Sequence, residues 1–297
     1  MVAQPGVGDV AAARKRSTFW SRAPVRFAVL AICAIWFLPT MGLLITSVRN
    51  PQDIDSSGWW TTLFSFWDLS QWTLDNYANV ITSENMAGAF VNSLIVAVPA
   101  TVIPITVAAF AAYAFAWMRF PFRVTLFIIV VGLLVVPLQM ALIPVLKIYS
   151  EMGIAGTFLG IWLAHTGFGL PLAVFLLYNF ISQLPEDLFE TASIDGATHF
   201  QMFTRIVLPL SVPALAAFAI FQFLWVWNDL LVALVYLGPQ DDVAVATVKL
   251  NQLIGNRGQA WHLLTAGAFV TMILPLLMFL ALQRYFIRGI LAGSVKG

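Results

Sequence analysis

The chain has 297 residues, of which 60% are hydrophobic and 10% are charged, and its mean hydropathy is +0.87. Such a composition excludes an ordinary soluble domain and indicates a polytopic membrane protein. Fifteen Lys and Arg residues nearly balance 14 Asp and Glu residues, and they form no basic patch with interleaved aromatic residues, which argues against nucleic acid as a partner.

Apolar runs long enough for membrane-spanning helices recur along the chain. A transmembrane helix needs about 20 mostly apolar residues. Six runs free of Asp, Glu, Lys and Arg reach that length: 27–48, 85–118, 124–146, 152–185, 206–228 and 258–283. We therefore predict an all-α fold of six transmembrane helices in a lipid bilayer. The two 34-residue runs exceed a single crossing, so each is expected to begin with an interfacial lead-in.

A cluster of basic residues precedes the first apolar run. Its members are Arg14, Lys15, Arg16, Arg22 and Arg26. The run that follows is too long for the apolar region of a typical signal peptide and lacks an A-x-A-like cleavage site. We therefore predict an uncleaved first helix. The predicted parts of the chain are a cytoplasmic tail at 1–25, a membrane domain at 26–289 and a second cytoplasmic tail at 290–297.

The basic residues divide unequally between the two sides of a six-span topology. Eleven lie in the N-terminal tail, the second and fourth loops and the C-terminal tail, whereas four lie in the other loops. Because Lys and Arg accumulate on the cytoplasmic side, both termini are predicted to be cytoplasmic. The first loop, 50–84, is then external, and its five acidic residues and four Trp are typical of a segment that lies along the membrane interface.

The third run contains Pro137 and Pro144, with Gln139 between them. Prolines within membrane spans usually mark kinks in a packed bundle, where neighbouring helices satisfy the freed carbonyl groups. Two kinks around a side-chain amide also suit the lining of a solute path. Gln139 is therefore a candidate path residue.

A polar segment at 184–209, the polar loop, interrupts the apolar sequence between the fourth and fifth spans. Pro185, followed by two acidic residues, is a typical helix start, because proline suits the first helical position and acids favour the positive end of the helix dipole. Gly196 is a typical stop, because glycine adopts the left-handed conformation that ends many helices. A first helix is therefore predicted at 185–195.

A second helix is predicted after the glycine. Thr198 and Gln201 form a T-x-x-Q capping box that opens this helix, which continues into the fifth span. Phe200, Phe203 and Val207 are expected to share one of its faces.

The two helices of the polar loop form a compact knob that suits a cleft on a partner protein. Leu188, Phe189 and Ala192 give the knob a small apolar face among charged residues. The alternative is an ordinary loop whose apolar residues rest against the bundle, since exposed apolar residues in loops are common.

Polar side chains in the spans are further candidates for a solute path. Asp229 follows Pro209 by a helix rise of about 30 Å, which places it near the external end of the fifth span. A carboxylate there either contacts solute or pairs with a donor on a neighbouring helix. Amides either bind solute hydroxyls or hold helices together. The candidates are Asn92, Gln139, Gln222, Asn228 and Asp229.

The sequence lacks motifs for catalysis. It contains no Gly-Lys dipeptide and therefore no Walker A loop, so ATP hydrolysis has to come from another chain. His165, His199 and His262 lack metal-binding spacing and are interpreted as packing or interface residues. Cys33 is the single cysteine and excludes an intrachain disulfide and a multi-cysteine metal site. We expect no enzyme activity, no catalytic residue, no metal and no cofactor in this chain.

One motif resembles a known family signature. The segment E-T-A at 190–192, then Gly196 after three residues and I-V-L-P at 206–209 after nine more, is similar to the EAA signature E-A-A-x3-G-x9-I-x-L-P. This signature belongs to permease subunits of binding-protein-dependent ABC importers. The spacing matches at every fixed position, and Thr191 in place of the first alanine is the only departure.

The resemblance covers roughly 90–297. F-V-N-S-L at 90–94 looks like the entry to the permease core, and V-P-L-Q at 136–139 and W-N-D at 227–229 are similar to patterns of the carbohydrate group. The ending at 283–297 resembles the tail of the maltose-type second permease, and S-G-W-W at 57–60 resembles α-glucoside permeases.

In that family the EAA helix sits in a groove of the ATPase subunit and transmits nucleotide-driven closure to the membrane helices. The resemblance implies a type I ABC importer permease fold in a bacterial or archaeal cytoplasmic membrane. The implied partners are a second permease that forms a heterodimer with this chain, two ATPase subunits that bind ATP and Mg, and an extracytoplasmic sugar-binding protein.

The resemblance also assigns roles to residues. Glu190 is the polar anchor, Ala192 a close-packing position and Gly196 the turn, while Leu188 and Phe189 fill the pocket of the ATPase. The implied ATPase-coupling residues are Leu188, Phe189, Glu190, Thr191, Ala192, Asp195 and Gly196. The implied tail contacts are Gly293, Ser294, Val295, Lys296 and Gly297. The external loop at 237–261 is expected to reach the binding protein.

The leading interpretation is a permease half of an ATP-driven importer for an oligosaccharide or α-glucoside-like sugar. The alternative is an ion-coupled secondary transporter in which Asp229 is the coupling carboxylate. Six spans without an evident inverted repeat, and few buried charges, disfavour that alternative. A membrane enzyme would require a cluster of acid, base, nucleophile or metal ligands, which the sequence lacks.

Overall fold

A computed structural model describes residues 23–254 and 260–294, and within these ranges the chain is helical without β-strands. An isolated bridge joins Arg49 to Trp72. The helices are α1 (Ala23–Ser47), α2 (Pro51–Ser56), α3 (Asp75–Thr82), α4 (Met86–Ala97), α5 (Pro99–Trp117), α6 (Arg123–Gly132), α7 (Leu138–Glu151), α8 (Phe158–Ile181), α9 (Glu186–Ile194), α10 (His199–Met202), α11 (Leu208–Trp227), α12 (Leu231–Tyr236), α13 (Ala246–Ile254) and α14 (Trp261–Ser294). Short 3-10 helices lie at Trp59–Leu63, Leu69–Gln71 and Leu133–Val135, and a π-helical turn lies at Phe203–Val207.

Five helical segments of the described chain are long and apolar enough to cross a membrane. They are α1, the pair α4 and α5, α8, the run His199–Trp227 that ends with α11, and the part of α14 at Trp261–Ala281. A sixth crossing requires α6 and α7 together. The predicted all-α membrane fold is thus confirmed, and the number of spans is the predicted six when α6 and α7 count as one crossing.

The third predicted span, 124–146, is not one helix. Its two halves, α6 and α7, meet at an angle of 104°. Val136 is extended (φ −74°, ψ 116°) directly before Pro137, because the proline ring disfavours helical backbone in the residue before it. At 1.5 Å per residue, the ten residues of α6 rise only about 15 Å, half of the roughly 30 Å hydrocarbon core. At Pro137 the predicted kink is a break between two helices, whereas Pro144 lies inside α7.

Other boundaries also differ from the predictions. Helix α1 begins at Ala23, inside the predicted 1–25 tail, and α14 continues to Ser294, inside the predicted 290–297 tail. Gly293 and Ser294 are therefore helical, whereas Val295, Lys296 and Gly297 lie outside the described residues. The expected lead-in of the fourth span is a turn at 152–157 that precedes α8.

The centre of the bundle is the pair α5 and α8, which pack more extensively on each other than any other two elements. Small residues such as Ala108, Ala112 and Ala173 are fully buried there and let the two backbones approach closely. Helix α11 packs against both, whereas α1 lies at the periphery against α14. The polar loop lies at one end of this bundle, here called the loop end. Residues 48–84 and 237–254 lie at the other end, here called the far end.

Candidate functional site

The polar loop folds as its local signals predict. Helix α9 occupies Glu186–Ile194, against a predicted 185–195, and Gly196 takes the left-handed conformation with φ +75°. The capping box is formed: the Gln201 N–H donates to Thr198 Oγ1 (3.2 Å), and the Thr198 N–H donates to Gln201 Oε1 (2.8 Å). The loop is therefore a knob of two short helices joined at a glycine turn.

Aromatic contacts fix this knob to the end of α5. The ring of Phe189 stacks on the indole of Trp117, with centroids 3.8 Å apart and planes at 19°. The Trp117 Nε1–H also donates to the carbonyl of Ile181 at the end of α8 (3.0 Å). On the second helix, Tyr113 Oη and His199 Nδ1 form a hydrogen bond of 3.0 Å. The knob thus contacts the bundle through both of its helices.

Phe189 is consequently buried inside this chain, and its ring does not face outward to fill a partner's pocket as expected. Stacking on the flat indole of Trp117 removes the apolar surface of the phenyl ring from water, which favours the inward orientation. Ala192, one turn further along α9, is half-buried on the same side. Of the two residues expected to enter the partner, Leu188 alone is exposed.

Two exposed apolar residues of the knob lie outside its predicted apolar face, and Ile194 was not among the predicted site residues. Ile194 is 86% exposed and Phe200 is 66% exposed. Because Phe189 and Ala192 mark the inward face of α9, a residue five positions after Phe189 points about 140° away from that face. That spacing is the signal that would have identified Ile194. Glu190, Thr191 and Asp195 are exposed on the same surface.

Phe200 does not share the buried face of Phe203 and Val207, contrary to prediction. Phe200 lies in the first turn of α10, before the buried stretch, whereas Phe203 and Val207 are the two ends of a π-helical turn with i to i+5 hydrogen bonds. Pro209 lies just beyond it and lacks the N–H that would donate to the Arg205 carbonyl. A change of hydrogen-bond register at this point accommodates the proline.

Two of the candidate path amides bind backbone carbonyls of other elements. The Asn92 Nδ2 group of α4 donates to the carbonyls of Asp242 (3.0 Å) and Ala244 (3.1 Å), and the buried Gln222 of α11 donates to the carbonyl of Ala100 in α5 (3.1 Å). These hydrogen bonds connect α4 to the segment before α13 and α11 to α5. The two amides that were candidates for solute contact therefore make structural contacts.

Asp229 lies just beyond the end of α11 and caps α12. Its carboxylate accepts hydrogen bonds from the N–H groups of Ala233 (2.9 Å) and Val232 (3.3 Å), and Oδ2 lies 4.0 Å from Nε2 of the buried His165. Burial raises the pKa of Asp229, and the two backbone hydrogen bonds act against that increase. The carboxylate thus satisfies two free N–H groups in the first turn of α12 from the position before the N-cap residue Leu230, which is a structural role.

The remaining path candidates are exposed. Asn228 donates to the Leu224 carbonyl within its own helix (2.7 Å). Gln139 lies at the start of α7, directly after the bend, on a surface that also exposes Met140 and Ile143. Gln139 therefore makes no contact in the described chain that assigns it a structural role, and it stays a candidate path residue.

Residues 90–292 match the family model of the binding-protein-dependent transport system inner membrane component. The chain belongs to this family. The osmoprotective compounds uptake permease protein GgtD of Synechocystis sp. is 60% identical to it over 95% of both chains. The alpha-glucoside transport system permease protein AglG of Rhizobium meliloti is 42% identical over 92% of this chain and 97% of the relative.

The fold of this permease also matches a solved structure. A bacterial ABC transporter involved in the import of the acidic polysaccharide alginate superposes with a TM-score of 0.72, over 96% of this chain and all of the matched chain, at 18% sequence identity. Because the sequence identity is low, this match establishes the fold alone, which is that of an ABC importer permease.

Two variants of the permease distinguish a structural role of Gln222 from a solute-contacting role of Gln139. The Gln222→Leu variant is expected to lower thermal stability by an amount on the order of 1 kcal/mol, because it removes a hydrogen bond between two spans, and to leave the apparent KM for solute unchanged. The exposed Gln139→Leu variant serves as the matched control and should show the opposite pattern. Thermal unfolding and uptake kinetics measure both. A raised KM with unchanged unfolding in Gln222→Leu would identify Gln222 as a path residue.

Proposed function

We propose that this permease forms half of the membrane path of an ATP-driven sugar importer and that the polar loop couples it to a separate ATPase subunit. The observation that carries the coupling role is the geometry of the knob. It is anchored on one side to Trp117 of α5, whose indole is itself hydrogen-bonded to the end of α8, and on the other side it exposes Leu188, Ile194 and Phe200 among acidic residues. A rigid knob with an exposed apolar face suits a groove in a soluble partner.

The proposed substrate class is a small uncharged α-glucoside. One relative is named for alpha-glucoside transport and the more similar one for osmoprotective compounds, and an α-glucosidic solute fits both descriptions. The two path candidates that are exposed, Gln139 and Asn228, are amides, which donate to and accept from hydroxyl groups without requiring a charged solute.

The proposed assembly contains a second permease, two ATPase subunits that bind ATP and Mg, and an extracytoplasmic binding protein. The loop end then faces the cytoplasm, as the distribution of basic residues predicts. One solved relative in fold is in complex with a periplasmic protein carrying an alginate pentasaccharide, and it superposes with a TM-score of 0.63. By analogy, the far end of this bundle would receive the binding protein.

The function is tested by reconstituting the permease with its partner subunits in proteoliposomes. Uptake of a labelled α-glucoside is expected to require the binding protein on one side and ATP on the side of the polar loop. Excess unlabelled α-glucoside should compete, whereas a β-glucoside should not. Uptake driven by a proton or sodium gradient without ATP would contradict the proposal.

Variants of Asp229 distinguish ATP-driven uptake from ion-coupled transport in the same reconstituted proteoliposomes. The Asp229→Asn variant keeps an oxygen that accepts the Ala233 N–H, so ATP-driven uptake should stay near that of the unmodified complex. The Asp229→Ala variant loses the cap and should cost about 1 kcal/mol of stability. Loss of uptake in Asp229→Asn, with unchanged thermal unfolding, would favour a coupling carboxylate.

A further inference from the structure

Residues 57–74, here called the aromatic lobe, form a loop at the far end of the bundle, and the two ends of this loop lie close together. The buried guanidinium of Arg49 fixes its start, because it donates to the carbonyl (3.0 Å) and the hydroxyl (2.7 Å) of Ser57. The N–H of Thr73 donates to the carbonyl of Val48 (2.8 Å) and fixes its end. Both ends of the lobe are therefore attached to the residues that follow α1, so the lobe holds a defined position relative to that membrane span.

The aromatic lobe folds back alongside α1. A Cβ on Gly42 would lie 2.7 Å from Nε1 of Trp59, so the Trp59 indole packs directly on the helix backbone at a position where glycine leaves room. Gly42 precedes the helix end at Ser47 by five residues, which corresponds to about 7 Å along the helix axis. Part of the lobe thus lies beside the membrane span, at the depth of its last turns.

The outer edge of the aromatic lobe is apolar and unusually exposed. Phe64 is 92% exposed, Trp67 88% and Leu69 82%. Asp68 is the single charged residue in the lobe, and no Lys or Arg occurs there. Its carboxylate accepts hydrogen bonds from the Ser70 N–H (3.1 Å) and hydroxyl (2.7 Å), which lower the pKa of Asp68 and keep it ionised. The edge therefore combines large apolar side chains with one carboxylate that requires hydration.

The helix beside the lobe is itself exposed over most of its surface. Gly42 and Ser47 are its only buried residues, and side chains such as Ile35 and Trp36 are more than two-thirds exposed within the chain. In a membrane-spanning helix at the edge of the bundle such a surface suits lipid. The lobe packs on this helix through Trp59 and exposes its own apolar edge.

We propose that the aromatic lobe lies in the membrane interface, with Phe64, Trp67 and Leu69 inserted among the lipid headgroups and upper acyl chains. Aromatic side chains favour that level of the bilayer, and the carboxylate of Asp68 remains hydrated there. The absence of basic residues from the lobe means that it needs no anionic lipid. Trp59, packed against Gly42 of α1, holds the start of the lobe at this level.

The position of the lobe is measured by fluorescence quenching in the assembled transporter, reconstituted in phosphatidylcholine nanodiscs. The Cys33→Ser background removes the single native thiol, and the Phe64→Cys and Trp67→Cys variants each accept one environment-sensitive fluorophore. The Gln52→Cys variant on the exposed polar side of α2 is the matched control. Nitroxide lipids labelled high on the acyl chain and aqueous iodide serve as the two quenchers.

Nitroxide lipids are expected to quench the labels at positions 64 and 67 roughly twofold or more above the label at position 52, and iodide should show the reverse order. Replacing part of the phosphatidylcholine by an anionic lipid should leave the result unchanged. Iodide quenching equal to that at position 52 would place the edge in water. Protection from both quenchers, or protection that requires added binding protein, would show that a protein surface covers the lobe. Each of these outcomes would overturn the proposal.

Discussion

The Gly196→Trp variant is expected to lose solute uptake while it remains in the membrane at the normal level. An added Cβ at Gly196 meets no atom of the chain within 4 Å, so the indole would project from the knob and leave the internal packing intact. It would enter the surface that we propose docks on the ATPase. A docking penalty above about 1.4 kcal/mol already weakens binding more than tenfold, and an indole in a closely packed groove should exceed it. Uptake and membrane abundance are measured together.

The Gly196→Asn variant controls for backbone strain. Gly196 has φ +75°, a conformation that asparagine tolerates better than other non-glycine residues. This variant should therefore keep most of the uptake. Equal losses in both variants would assign the effect to the turn itself, and normal uptake by Gly196→Trp would remove the docking role.

The polar loop was predictable because its signals are local. Pro185 at the helix start, Gly196 at the left-handed turn and the Thr198 to Gln201 capping box each act within a few residues, and the structure shows all of them within one residue of the predicted positions. The six-run pattern was predictable for a similar reason, because crossing a bilayer sets a minimum length for an apolar helix.

The packing of the site depends on contacts that leave no local signal. Phe189 was expected to face a partner, yet it stacks on Trp117 from a different helix. Asn92 and Gln222 bind backbone carbonyls, which every residue carries, so nothing in the sequence identifies their partners. The bend at Pro137 had a signal for its position, but its angle of 104° depends on the packing of α6 and α7.

The Trp117→Ala variant is expected to uncouple ATP hydrolysis from transport. The indole joins the knob to α5 through the stack on Phe189, and its hydrogen bond to the Ile181 carbonyl joins α5 to the end of α8. Without it, motion of a docked α9 would reach α5 and α8 only through weaker contacts. We expect the complex to retain basal ATPase activity and to lose most of its stimulation by solute-loaded binding protein. The ratio of stimulated to basal ATPase rates measures this effect.

The Trp162→Ala variant is the matched control for Trp117→Ala. Trp162 is also half-buried and also donates from Nε1 to a backbone carbonyl, that of Ile95 (2.9 Å), but it lies toward the far end of α8. Both variants should lower the unfolding temperature, whereas the stimulation ratio should fall only in Trp117→Ala. Equal losses of stimulation in the two variants would indicate a general loss of stability.

Phe189→Ala and the double variant with Trp117→Ala test whether the stack itself carries the coupling. Aromatic pairs contribute about 0.5–1.5 kcal/mol beyond the area that they bury, and this contribution is lost once either ring is removed. If the stack transmits motion, the stimulation ratio of the double variant should resemble that of Trp117→Ala, because the second substitution removes no further contact between the two rings. Additive losses would mean that Phe189 and Trp117 act separately, and Trp117 would then contribute through its hydrogen bond to Ile181, which joins α5 to α8, and not through the stack.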